Sequence, residues 1–296
     1  MDKPLGVAVV GIGEVALNTH LPTLLLCSHL FRTLALVDIS PGALQHAATA
    51  ARESGKVCFV GFMRRYAEAF LRVKDMVAGA DISYVRVRDI IGQNAFFVSQ
   101  SGSFPVKFDD MPVSAAHERA VRFEAMLADA LGTYTERDSK TWNLLTSLSS
   151  HDISALRELV GMPRRVLSAV RSGDCNWIWA TFEYDGFVAY YEVGIDNVRV
   201  FDAHIEAYLP DRRVKVCYDT PYVKGLPITA SVQYTRDGDH VEETIRPTYE
   251  DAFTLEYRAL YDAIVKGTPV KTSPEDARED LVIFKMIMDA IWAGEI

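Results

Sequence analysis

The residues best placed to do chemistry stand near the N-terminus. An apolar run, Val7 to Val10, ends in Gly11-Ile12-Gly13-Glu14-Val15-Ala16, and the stretch from Glu14 to Leu26 repeats apolar residues at helical spacing. Glycines at the end of a strand let the backbone come close to a pyrophosphate, and the N–H groups opening the next helix point at it. Asp38 closes a second strand-like run, Thr33 to Asp38, 25 residues after Gly13. A carboxylate there accepts both hydroxyls of a ribose and repels a 2′-phosphate, which favours NAD and leaves NADP as the alternative. Glycines so spaced also close ordinary strand–helix turns, so the pattern takes its meaning from the strand before it and the helix after it. The candidate cofactor residues are Gly11, Ile12, Gly13, Glu14, Val15, Ala16 and Asp38.

A second candidate group lies at mid-chain. Ser149 or Ser150 is expected to cap a helix over Ser150 to Val160, which puts His151 in the first turn, where the positive end of the helix dipole lowers an imidazole pKa and keeps the ring available as a base. Lys140 and Trp142, just upstream, are positioned to line a cleft, although a surface lysine and a core tryptophan describe them better. The candidate catalytic residues are His151 and Lys140. The four cysteines, Cys27, Cys58, Cys175 and Cys217, show no metal-ligand spacing with each other or with histidine.

These groups need elements to hold them. Residues up to Gly79 read as β-α-β-α-β-α: the strand at Leu5 to Val10, the helix from Glu14 to Leu26, a second strand to Asp38, a helix over Ala43 to Ser54, a short third strand at Val57 to Val60, and a helix over Arg64 to Ala78. From Asp81 the pattern changes to long alternating strands. They run over Ile82–Asp89, Arg165–Arg171, Asn176–Tyr184, Phe187–Ile195, Phe201–Leu209, Arg213–Tyr218, Thr229–Thr235 and Val241–Arg246, with turn signals at Asp185-Gly186 and Asp237-Gly-Asp239. Helices are expected over Ser114–Leu131, Ser150–Val160, Tyr249–Lys266 and Pro274–Ala293, and a long loop over Gly92–Pro112. The expected class is α/β plus α+β, a Rossmann-like parallel sheet over 1–79 followed by a larger, mostly antiparallel open-sheet domain over 80–296.

Composition narrows the partners. A formal net charge of −9 disfavours nucleic acid and anionic membrane surfaces, and no apolar run approaches the roughly 18 residues of a membrane span. With a strand beginning almost at Met1 and scattered thiols, a cytoplasmic protein acting on a small molecule is the expectation.

The chain resembles the glucose-fructose oxidoreductase and inositol dehydrogenase family (Gfo/Idh/MocA). The resemblance rests on Gly11-Ile-Gly-Glu-Val-Ala16, Gly55-Lys-Val-Cys-Phe-Val-Gly-Phe-Met-Arg-Arg-Tyr66, Ser149-Ser-His-Asp-Ile-Ser-Ala-Leu156 and the final helices from Tyr249 to Ala290, and so spans nearly the whole chain. It implies an NAD(P)-dependent hydride transfer on a sugar, polyol or related carbonyl compound, and a homo-oligomer formed through the C-terminal sheet, where Tyr190 or Tyr191 would face the partner. Two departures stand out. Asp38 lies only 17 residues before Gly55, so about three βα units of the family's nucleotide fold, with its Glu-Lys-Pro lysine, are missing. The family's Gly-x-x-x-Asp-x-x-x-His reads here as Asn143, Ser147 and His151, keeping only the histidine. The departures leave two rival expectations, a non-catalytic nucleotide- or metabolite-binding relative and a shortened form of an active enzyme. They also imply a thinner first sheet with an exposed edge, which Val57 to Val60 could slide in to cover.

Overall fold

The computed structural model of the chain describes residues 3–11, 14–37, 57–102 and 113–295. Strands β1 (Leu5–Val10) and β2 (Phe31–Val37) pair in parallel as a two-stranded sheet. A helix leads away from the glycine turn. Its second half, α1 (Leu21–Leu26), carries Pro22, and the turn before it, Ala16–His20, widens to π geometry. Proline has no N–H to donate and crowds the carbonyl four residues back, which is relieved by such a widened turn. The Thr23 hydroxyl donates to the Thr19 carbonyl at 2.7 Å beside this distortion. One face of the small sheet, Leu5, Val7 and Val9, packs with Leu24, Cys27 and Phe31 against Tyr257 and Tyr261 of α7 (Ala252–Lys266).

The expected third strand does not form. Residues 57–60 are not in either sheet, and the Val60 N–H donates instead to the Thr272 carbonyl at 2.8 Å. The reason lies a few residues on, where Arg64 and Arg65 are anchored by buried ion pairs in the larger part of the molecule and hold this segment beside it. The expected helix over Ala43–Ser54 lies outside the described residues.

The second sheet has eight strands: β3 (Tyr84–Gly92), β4 (Arg165–Arg171), β5 (Trp177–Glu183), β6 (Val188–Asp196), β7 (Phe201–Tyr208), β8 (Arg212–Tyr218), β9 (Thr229–Arg236) and β10 (Asp239–Ile245). Their order is β10-β9-β8-β7-β3-β6-β5-β4, antiparallel throughout except for the parallel pair β3–β6 at the centre. Side chains alternate strictly on β3, with Val85, Val87, Asp89 and Ile91 buried. That face is covered by α2 (Glu68–Val77) through Phe70 and Val73, by α6 (Ser150–Val160) through Ile153 and Leu156, and by α8 (Pro274–Gly294) through Phe284 and Ile287. Sequence reading places α2 in the first domain, but its apolar face belongs to this core. The opposite face carries half-buried Tyr84, Trp177, Trp179 and Tyr190. Gly194 lets the Trp177 ring lie flat on the sheet, since a Cβ there would sit 2.2 Å from the ring.

Three further helices lie among the described residues. The segment expected to be loop contains α3 (Asn94–Ser99), then come α4 (Val113–Leu131) and α5 (Glu136–Leu144). The sequence signal for α5 was available: Thr135 and Asp138 form a reciprocal capping box, with the Asp138 N–H donating to Thr135 Oγ1 at 3.2 Å and the Thr135 N–H to Asp138 Oδ2 at 2.8 Å.

Candidate functional site

On the buried face of the eight-stranded sheet one row of positions is polar. Asp89 of β3 pairs in register with Ala203 of β7, which pairs with Tyr218 of β8. The small Ala203 side chain leaves room above it, and Arg64 enters from a single 3-10 turn, Met63–Tyr66. Arg64 Nη1 donates to Asp89 Oδ2 at 3.1 Å and to Asp152 Oδ1 of α6. The guanidinium lies over the Tyr218 ring, 4.8 Å from its centroid, and 5.8 Å from that of Phe201. Arg64 is 4% exposed and both aspartates 0%. Burial works against its charge, but Asp152 and Asp89 outweigh burial and hold it firmly protonated. Asp152 is driven the other way: burial, with Asp89 beside it, pushes its carboxyl well above the usual range in spite of Arg64.

The next residue, Arg65, fixes the turn from its other side. It donates through Nε to Glu158 Oε2 at 2.5 Å and through Nη1 to Asp276 of α8. Glu158 also receives Lys74 and Lys271, each at 2.9 Å, and Arg157 reaches Asp276 and Asp280 at 2.7 and 2.8 Å. Consecutive arginines thus tie one short turn to two separate sets of carboxylates, and the position of Arg64 follows from the second set as much as from the first.

His151 stands beside this cluster, but not at a helix start. The chain is helical from Glu136 to Val160, with α5 and α6 joined through a π segment, Leu145–Ser149. Hydroxyls explain the widening: Thr146 Oγ1 donates to the Trp142 carbonyl at 2.9 Å and Ser147 Oγ to that of Asn143 at 2.6 Å. Ser149 has helical backbone angles and makes no cap, which corrects the expectation that a capped N-terminus tunes the histidine. What lowers the imidazole pKa, to about 4, is burial and then the Arg64 charge, with Asp89 opposing. His151 Nδ1 and the Tyr218 hydroxyl are enclosed and have no partner in the protein, whereas the Ser149 and Tyr191 hydroxyls bond to each other. The His151 ring, near Arg64, is uncharged at neutral pH.

The loop after β8 links this place to the glycine turn. Tyr218, Thr220 and Arg64 line a cavity of about 30 Å³ that is closed by Met63, Asp251 and Phe253, room for a single small group. Further along the loop, burial raises the pKa of the Tyr222 hydroxyl, and the nearby Glu14 of the glycine-turn helix adds to the shift. Lys224 donates to Thr23 of α1 and, at 3.0 Å, to Asp251. The same helix is fixed by His20, whose Nδ1 lies 3.2 Å from the Tyr257 hydroxyl.

The fold is shared with solved oxidoreductases. The UDP-N-acetylglucosamine 3-dehydrogenase GnnA from Acidithiobacillus ferrooxidans matches with a TM-score of 0.63 at 14% identity, over 99% of this chain and 99% of that one. KijD10, a 3-ketoreductase from Actinomadura kijaniata solved with NADP, matches with a TM-score of 0.61 at 14% identity, over 99% and 98%. An oxidoreductase from Thermotoga maritima gives 0.60 at 15% identity, over 97% of each chain. No protein-family model and no curated protein matches the chain. The small parallel sheet followed by a larger mixed sheet with helices is therefore the fold of these solved proteins, as the strand pattern leads one to expect.

Within that fold the expected site residues are distributed unevenly. Gly11 closes β1 with φ +86°, and no described atom lies within 4 Å of where its Cβ would stand. Glu14, Val15 and Ala16 open the helix, whereas Ile12, Gly13 and Asp38 lie outside the described residues. Lys140 is on the exposed side of α5, paired with Glu136 at 2.8 Å, three helical turns before His151, and the two are not brought together. Sequence reading missed Asp89, Tyr218, Thr220 and Tyr222 as site residues. Asp89 could have been found, because it is a carboxylate on the apolar side of an otherwise regular alternation.

Proposed function

We propose that the chain is an NAD(P)-dependent oxidoreductase that moves a hydride to or from a secondary alcohol carbon of a sugar, polyol or related carbonyl compound. The observation that carries this reading is the loop from Tyr218 to Lys224, which touches both the glycine-turn helix and the buried cluster beside His151. Gly11, with its positive φ, fits the pyrophosphate end of a dinucleotide, and the backbone opening the helix at Glu14–Ala16 would share in holding it. When bound, the nicotinamide supplies or accepts the hydride. His151, kept neutral, takes the hydroxyl proton of an alcohol undergoing oxidation and returns it in the reverse direction. Arg64 holds its positive charge beside the developing alkoxide side of the site, and Asp89 and Asp152 fix Arg64. NAD is preferred on the strength of Asp38. Lys140 stays a candidate for the role of the missing lysine only if the helix carrying it meets substrate from another direction.

A second reading is favoured by one observation, the parallel sheet of only two strands among the described residues, which offers fewer walls to adenine and nicotinamide than a full doubly wound fold. On that reading the chain binds a nucleotide or metabolite without turning it over, or is a shortened form of an active enzyme. In either case the uncovered face of the large sheet, with Tyr190 on it, is the surface for a homo-oligomer. No described helix is long and apolar enough to cross a membrane, and the proposed setting is the cytoplasm. Fluorescence titration with NADH and NADPH tests the first reading. Saturable micromolar binding to either, with a loss of ~10²- to 10⁴-fold in kcat/KM for His151→Ala, supports it; binding to neither refutes it.

A further inference from the structure

We infer that Asp89 and Asp152 hold one proton between them at neutral pH, so that the Arg64 cluster enters the site with no net charge. Two fully buried carboxyl groups converge on one guanidinium nitrogen, Arg64 Nη1, from β3 and from α6. A single cation balances only one of them. The oxygens that do not face Arg64, Asp89 Oδ1 and Asp152 Oδ2, are both sealed from solvent and have no other partner in the protein. The two carboxyls lie within hydrogen-bonding reach of each other, and Asp152 favours its protonated form. One proton shared by the two carboxyls gives them a hydrogen bond to each other and removes the excess negative charge, which a buried site tolerates poorly. Like-charged carboxyls in contact respond in this way in general.

The surrounding groups do not offer another balance. Tyr191 from β6 and Tyr218 from β8 are both held protonated, chiefly by burial. His151 from α6 is neutral, and Arg64 from the 3-10 turn is the only cation facing the pair among the described residues. The shared proton deepens the oxidoreductase reading and rests on it for its use: two ionised aspartates would draw a proton onto His151, whereas a neutral cluster leaves the ring free to accept one from substrate. Asp89 is then a positioning residue for His151.

The test needs neither cofactor nor substrate. Urea unfolding of the wild-type protein and of Asp89→Asn is followed between pH 5.5 and 7. The wild type takes up one proton at this cluster on folding, since both aspartates are ionised in the unfolded chain, and the variant takes up none. The folding constant of the wild type therefore falls with pH more steeply than that of Asp89→Asn, by tenfold per pH unit. Asp152→Asn gives the same difference. Other buried acids contribute equally to both proteins and drop out of the comparison. Parallel pH dependences would overturn the inference, and so would a failure of both variants to fold, because a neutral isostere should replace whichever partner carries the proton. A flat cofactor titration alongside the expected slopes would remove the oxidoreductase reading and leave the proton in place.

Discussion

Replacing Arg64 by Met removes the cation and keeps most of the apolar stem that packs between Tyr218 and Phe201. The loss can be built from the parts. Breaking a buried ion pair by removing one partner costs about 3–5 kcal/mol, and the cation–π contact with Tyr218 adds up to about 2 kcal/mol when desolvated. The two aspartates limit the damage by taking up protons, which caps the cost near the lower figures and makes it depend on pH. The sign follows from the direction of their shift. Without Arg64 the Asp152 carboxyl, already held above its unfolded value, loses the charge that opposed its rise and rises further, so the folded variant binds more protons than the wild type. Stability linked to a raised carboxyl pKa is present below the unfolded value and is lost as pH rises through the folded one. The variant is therefore expected to lose about 3–5 kcal/mol at pH 7 and visibly less at pH 5, against a total of about 5–15 kcal/mol for a typical domain. Urea unfolding monitored by tryptophan fluorescence at pH 5, 6, 7 and 8 measures it. A loss under about 1 kcal/mol at pH 7, or the same loss at every pH, would refute the account of Arg64 as the charge that two buried carboxylates depend on.

Glu256, 4% exposed on α7 with Oε1 unpartnered, has its pKa pushed up to about 8 by burial; Glu256→Gln should flatten the decline of stability between about pH 5 and 8 by roughly 1.4 kcal/mol per pH unit, read from the same unfolding series. Gly194→Ala drives a methyl into the Trp177 ring and should cost about 1–3 kcal/mol, with loss of the near-ultraviolet dichroism of the stacked Trp177–Trp179 pair; an unchanged spectrum would show that the ring does not rest on that glycine. Lys140→Ala breaks only an exposed i,i+4 pair, so thermal unfolding should match the wild type, and a fall in turnover would show that Lys140 meets substrate.

The parts of the fold that sequence shows clearly are those where period and punctuation agree. Most strands of the second sheet alternate, two of its hairpins carry Asp-Gly signals, and α8 opens with Ser273 and Pro274 as capping chemistry demands, the Asp276 N–H donating to Ser273 Oγ at 3.2 Å. Val57 to Val60 misleads because an apolar run of four residues states a preference for burial and says nothing about which sheet receives it; two arginines further along decide that. His151 is legible as a candidate, yet the reason for its neutrality is not, since the hydroxyls of Thr146 and Ser147 bond back to the helix and carry it past the expected cap. The partners of Arg64 come from residues 89, 152 and 218, and no local pattern couples positions so far apart.

The central strand has a consequence for how the chain is made. β3 pairs on one side with β6, Tyr84 against Val188, and on the other with β7, Tyr84 against Tyr208. Its apolar face must therefore wait, unpaired on both edges, until more than a hundred further residues have been synthesised. Even then the turn carrying Arg65 is not closed until Asp276, 211 residues later, arrives near the C-terminus. Contacts of such long sequence separation slow folding and leave strand edges exposed in the interval. The nascent chain is thus committed to a late, nearly all-at-once assembly of its large sheet, and truncation upstream of α8 should yield aggregation-prone material in place of a smaller folded unit.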